Sequence, residues 1–165
     1  MIRNFIIFFL ILLSVGCRNS SVVKEAPQNQ SGTLCGENEK EFTDQFNNKF
    51  YQIRSDLNLM VPVRDPKLDR SALNFAKKLK NRNSIIYKES ERPLIRLQQE
   101  GIKKELAAEN IAIIKNDSKL LISLMKKWIN GKEEKNNLTN SRYHFYGFGF
   151  DSNKKYCYCV LLLTN

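Results

Sequence analysis

The chain has 165 residues, 42% of them hydrophobic and 27% charged, with 27 Lys plus Arg against 17 Asp plus Glu and a formal charge of +10. That length holds one domain with a tail and excludes separate cofactor and substrate domains, while the apolar share excludes full disorder. Four Cys are too few for a disulfide-dense scaffold, and a single His excludes a site that needs two imidazoles from one chain.

The chain begins with one cation, Arg3, followed by an apolar run from Phe5 to Val15 that only Ser14 interrupts. Gly16-Cys17 and a polar stretch come next. Positive start, apolar run and small-residue stop are the order of a secretory signal, and the run is shorter than the roughly 20 residues a helix needs to span a bilayer. Ser14-Val15-Gly16-Cys17 resembles the bacterial lipoprotein box, with Ser14 where Leu is usual. The resemblance implies a signal at residues 1–16 and an acyl group such as palmitate on Cys17. An ordinary signal with Cys17 unmodified is the alternative. Residues 17–37 read as a flexible tether of Asn, Ser, Gln, Gly and Lys. Removing residues 1–16 takes away only Arg3, so +10 becomes +9. A basic exported chain favours anionic surfaces such as headgroups or envelope polymers, whereas nucleic acid calls for a clustered patch that this sequence does not show.

Residues 38–165 read as the domain. Phe42, Phe46, Phe50, Ile53 and Leu57 recur at helical spacing from Glu39 onward. Asp65-Pro66 caps and starts a second helix, whose inner face is Leu68, Ala72, Phe75, Ala76 and Leu79 and which ends near Arg82. Residues 83–92 read as loop, Pro93 to Leu106 as a weak helix interrupted at Gly101, and Glu109 to Ile114 as a turn or short strand. A helix with Leu120, Leu121, Leu124, Met125 and Trp128 on one side stops at Asn130-Gly131. Tyr143 to Phe150, the turn Asp151 to Lys154, and Lys155 to Leu163 form a hairpin. The expected fold is α+β, with helices covering a central antiparallel sheet.

Three blocks in this order resemble the CAP superfamily, the SCP or pathogenesis-related-like domain, in its short bacterial secreted form. The first is Arg54 followed by Leu68, Ala72 and Ala76, with Tyr51 where the family has Asn. The second is Ala108-Glu109-Asn110-Ile111-Ala112. The third is Trp128, Glu134, Asn137 and Leu138, then Gly147-Phe148-Gly149. The resemblance implies a three-layer α-β-α sandwich. It also implies a cleft in which relatives carry two His with acidic partners, some of them binding metal. Here Glu134 stands at one His position, and the other falls near Ile86-Tyr87-Lys88, which has no His. No metal site and no cofactor are therefore expected, since one carboxylate cannot hold zinc.

Two functions follow as expectations. The first is a non-catalytic envelope or surface binding domain that takes a lipid, an envelope polymer or a host component and reaches the membrane through Cys17. The second is an atypical hydrolase in which Glu109 and Glu134 share a proton in a cleft without His. Against the second, Glu109 can simply hold a turn, and Glu134 can belong to the solvated run Lys132 to Lys135. Asn110 is expected to bond backbone around its own turn, Trp128 to pack in the core and Arg54 to pair with a carboxylate. His144 is expected to pack its ring on the strand with Tyr146, Phe148 and Phe150. Cys35 is expected to bridge Cys157 or Cys159, which alternate onto one face of the last strand.

Overall fold

A computed structural model describes residues 38–86 and 88–165. The signal, the tether, Cys17, Cys35 and Tyr87 lie outside the described residues. Helix α1 spans Glu39–Asp56, with the Asn38 side chain accepting the Glu41 N–H at its start. Strand β1 is the short pair Val63–Arg64. Helix α2 is Pro66–Arg82: Asp65 accepts the Lys67 N–H, and the left-handed Asn83 closes the C-terminus. A 3-10 turn at Glu89–Glu91 leads into α3, Pro93–Gln99. Then come β2 (Ala107–Lys115), α4 (Leu120–Asn130), α5 (Lys132–Thr139), β3 (Phe145–Ser152) and β4 (Tyr156–Thr164).

The sheet order is β1-β3-β4-β2. β4 runs antiparallel to both β3 and β2, and only the two-residue β1 joins in parallel. The architecture is thus a mostly antiparallel sheet between helices, an α-β-α sandwich. β4 lies in the middle and is buried nearly throughout, as its near-continuous apolar run requires.

The period-2 alternation of the strands divides the core into two layers. On one face α1, α4 and α5 cover Ala112, Ile114, Tyr146, Phe148, Cys157, Cys159, Leu161 and Leu163. Aromatic rings fill this layer: Phe46 stacks on Phe148 at 3.8 Å between centroids, and Trp128 meets both edge-on. On the other face α2 and α3 cover Tyr158, Val160 and Leu162 with Leu68, Ala72, Phe75, Ala76, Leu79 and Leu97. Both clusters are drawn from within residues 42–163, so the domain supplies its own core.

Gly147 and Gly149 belong to the α2 layer. A Cβ on either would sit inside the van der Waals shell of α2 backbone, at Leu68-Asp69 and at Ala72-Leu73 respectively. The Gly-x-Gly pattern therefore exists so that a helix backbone can lie directly on the strand. Asp69 exploits this approach by accepting the Phe148 N–H at 2.9 Å, which satisfies β3 where β1 no longer reaches.

Three expectations change. The Pro93 segment is helical only to Gln99, because Gly101 takes φ +74 and ends the turn. The segment expected as a turn or short strand from Glu109 to Ile114 is a strand, and it is longer than expected, Ala107–Lys115, held by pairing with β4 along its whole length. The run around Lys132-Glu133-Glu134-Lys135 is helix α5, whose single buried anchor is Leu138.

Candidate functional site

The residues of the family-like blocks fall on both sides of β2. Alternation sends Glu109, with Ala107, Ile111 and Ile113, toward α2 and α3, and sends Asn110, with Ala108 and Ala112, toward α4 and α5. One step along the strand thus separates the two halves of the Glu-Asn pair by the thickness of the sheet.

On the α2/α3 side, Glu109 forms an ion pair with Arg96 of α3 through both guanidinium nitrogens, Nη1 and Nη2. The side chains are only 2% and 4% exposed, respectively. Arg96 lies flat on Phe75, with its guanidinium carbon 3.8 Å from the ring centroid, and donates to the Glu91 carbonyl at 2.6 Å. The Glu91 carboxylate in turn accepts from Arg82 at 2.8 Å and from the Lys88 N–H at 2.8 Å. This chain of contacts ties the segment after α2 to α3 and the sheet. Burial pushes the Glu109 carboxyl above its ordinary value, and the attraction and hydrogen bonds of Arg96 act against that rise. Burial also works against the Glu91 carboxylate, but the Lys88 N–H and Arg82 outweigh it and hold that carboxyl below its ordinary value.

On the α4/α5 side, the fully buried Asn110 donates to the Glu134 carbonyl at 2.9 Å and accepts from the Asn137 amide at 2.9 Å. The pair of asparagines locks α5 to β2 without charge. Arg54, also fully buried, donates to the carbonyls of Met60 at 2.8 Å, Leu138 at 3.0 Å and Asn140 at 3.1 Å. The last two belong to the C-terminal end of α5, where carbonyls lack helical partners and the dipole favours a cation. Desolvation lowers the Arg54 pKa from its usual value. Arg54 therefore pairs with backbone, not with the expected carboxylate. Asn110 likewise bonds a distant segment rather than its own turn.

Glu109 and Glu134 are not brought together as a dyad. Glu109 faces the α2/α3 layer and is taken by Arg96, whereas Glu134 stands on α5 in the opposite layer. Its carboxylate folds back over Gly131, where any Cβ would collide with it. This is the third position of the helix turning toward its N-terminus, where a negative charge is favoured. A shared proton between these two groups has no geometric basis. Trp128 is fully buried against Phe46 and Phe148. His144 departs from expectation: it precedes β3, its backbone pairs with Val63 and Thr164, and its side chain is exposed because the sheet ends there. Cys157 is disulfide-bonded. Cys159, its neighbour on the same face, is a buried thiol whose pKa burial pushes up, which keeps it in the unreactive form. Among the described residues no group of three or more His, Cys, Asp or Glu is placed to hold a metal ion.

The sequence reading did not single out Arg96. A signal existed: it is a cation in Leu94-Ile95-Arg96-Leu97, enclosed by apolar neighbours on a short helix, and a cation buried there needs acceptors, a carboxylate or carbonyls, to compensate it. Two hydroxyls were also missed. Tyr51, which replaces the family Asn, contacts the Tyr146 hydroxyl at 2.6 Å, and Tyr146 donates to Asn47 at 2.9 Å.

No family model matches the chain, and no curated protein matches it. Solved structures do. An outer surface protein from Borrelia burgdorferi aligns with a TM-score of 0.69 at 21% identity, over 81% of this chain and 98% of that one. An extracellular protein containing an SCP domain from Bacillus anthracis aligns with a TM-score of 0.57 at 23% identity, over 82% of this chain and 45% of that one. A cysteine-rich secretory protein from Staphylococcus aureus aligns with a TM-score of 0.59 at 20% identity, over 87% of this chain and 40% of that one. The chain therefore has the fold of the CAP/SCP-domain proteins. The Borrelia protein is matched over nearly its whole length, whereas the other two are matched over less than half of theirs.

Proposed function

We propose that this protein is an exported, lipid-anchored domain of the bacterial envelope that binds a ligand without catalysing a reaction. In this reading residues 1–16 are the signal, Cys17 carries the acyl anchor, residues 17–37 are the tether and residues 38–165 are the binding domain. Cys35 is the partner that staples the start of the domain to β4.

The observation that carries the non-catalytic part is the Arg96–Glu109 pair. The one carboxylate matching the family's polar set is desolvated and ion-paired to Arg96, whose guanidinium lies over Phe75, so it is held away from water and from any substrate proton. The surface location is supported by the signal-like start and by the fold shared with an outer surface protein. No helix of the described residues is long and apolar enough to cross a membrane, so anchoring in this reading falls to acyl chains, whose buried methylenes contribute about 0.8 kcal/mol each.

Metabolic labelling with an alkyne fatty acid tests the anchor. Label is expected on the wild type and absent from Cys17→Ala, and label that survives the substitution sinks the assignment. A lipid and glycan binding screen with Glu109→Gln and Glu134→Ala tests the rest. Ligand capture is expected in the wild type and in Glu134→Ala, with no hydrolytic product in any arm.

A further inference from the structure

The outer face of α4 is unlike the rest of the helical surface. Its inner arc, Leu120, Leu124, Met125 and Trp128, is buried. At 100° per residue the opposite arc gathers Ile129, Ile122, Lys126, Lys119 and Asn130, with Lys127 on its flank beside Leu120. Ile122 is 60% exposed and Ile129 is 40% exposed, and Lys119 and Lys126 beside them and Lys127 on the flank are exposed as well. The helix holds no acidic residue, and Lys126 and Lys127 form no ion pair among the described residues. The nearest acidic side chains along the chain are Asp117, which pairs with Lys115, and Glu133 at the start of α5.

We propose that this face of α4 lies flat on an anionic lipid bilayer. The two isoleucines are seven residues apart, about 10 Å along the helix axis. They therefore meet a plane parallel to the helix, and lysines on the same arc reach the headgroups. An anionic polymer would attract the lysines equally but would gain nothing from two exposed isoleucines. A bilayer takes both, with cations at the phosphates and branched side chains at the acyl boundary. The exposed apolar segment Leu57, Met60, Val61 and Val63 lacks this character, since it carries no lysine and the adjoining Arg64 is paired with Asp69. The inference rests on the proposed envelope location and gives the anchored domain a second, weaker hold that orients it.

The test uses residues 18–165, which keep both core clusters and Cys35 but lack Cys17, so failure of acylation does not affect the outcome. Co-sedimentation is measured with phosphatidylglycerol-containing vesicles, phosphatidylcholine vesicles and soluble polyglutamate. The wild type is expected to bind only the anionic vesicles appreciably, and less so as salt rises. Lys119→Gln/Lys126→Gln/Lys127→Gln is expected to lose about fivefold for each lysine replaced, and Ile122→Ser/Ile129→Ser about tenfold. Lys67→Gln/Lys77→Gln/Lys103→Gln, the same charge change elsewhere on the surface, is expected to bind more than tenfold better than the α4 lysine variant. All these positions are exposed, and circular dichroism confirms that each variant is folded. The proposal is overturned if the wild type ignores anionic vesicles or if the two lysine variants bind alike. It is also overturned if the isoleucine variant binds like the wild type, which would mark a polymer-binding surface.

Discussion

Arg54 and Arg96 are both buried cations, one on each side of the same sheet, and they find their partners in opposite ways, Arg54 Nη2 and Arg96 Nε being left without one among the described residues. Arg54 donates from Nε and Nη1 to three carbonyl oxygens, one in a loop and two at the end of α5. Arg96 meets a full negative charge, one carbonyl and the face of an aromatic ring. The first arrangement is a backbone clamp in a neutral, aromatic layer. The second is a charge-neutral pair that engages the carboxylate of the Ala108-to-Ala112 block. The α1/α4/α5 side is therefore held by polar groups that never change charge, whereas the α2/α3 side depends on a group whose charge state follows pH.

The largest effect should come from breaking the pair. Arg96→Ala leaves Glu109 buried without its partner and is expected to lose about 3–5 kcal/mol in urea unfolding at neutral pH. The loss should shrink in acid. Because the folded-state pKa of Glu109 is raised by burial, its contribution is full below the unfolded value and is lost as pH rises through the folded one. With Arg96 gone that rise is unopposed, so a penalty that stays constant from pH 4 to pH 8 would contradict the account. Arg96→Leu/Glu109→Leu should recover most of the loss, since two apolar side chains leave no charge stranded.

Arg54→Met tests the other side. It strands three carbonyl oxygens and is expected to lose about 3 kcal/mol. This loss should be independent of pH between 4 and 8, because no partner titrates there; pH dependence resembling that of Arg96→Ala would erase the distinction between the two layers. Gly149→Ala should lose about 1–3 kcal/mol through overpacking against the Leu73 backbone. Calorimetry should register it as a lower Tm, and an unchanged Tm would show that α2 moves away freely. Glu134→Ala is the smallest change. Its side chain holds no buried partner, so stability should stay within about 0.5 kcal/mol and ligand capture should be unaffected. A large loss would revive a cleft role for this position.

Much of the fold was legible in order and type. Helical spacing marked α1, and Asp65-Pro66 with the Ala-rich face marked α2 from Pro66 to Arg82. The aromatic run and turn marked the β3–β4 hairpin. The misses share one cause. β2 read as a turn or short strand because Glu109 and Asn110 are poor strand residues in isolation, and pairing with β4 along its full length overrides that preference and extends it. α5 looked like a solvated run because one buried leucine and two asparagine contacts hold it, a signal too small for periodicity.

The sequence by itself determined that the chain builds one α+β domain, that the domain follows a signal-like, cysteine-terminated start, and that it carries a single His. Those features are written in local spacing, capping residues and counts. Only the tertiary structure decided the fate of Glu109. The side on which a strand residue emerges depends on register, and its partner, thirteen positions away on another element, is set by packing. Adjacent residues of one motif, Glu109 and Asn110, therefore work in different layers. Because a desolvated carboxylate is stable only beside a compensating charge, the position that reads as chemistry in the sequence is a structural ion pair in the fold.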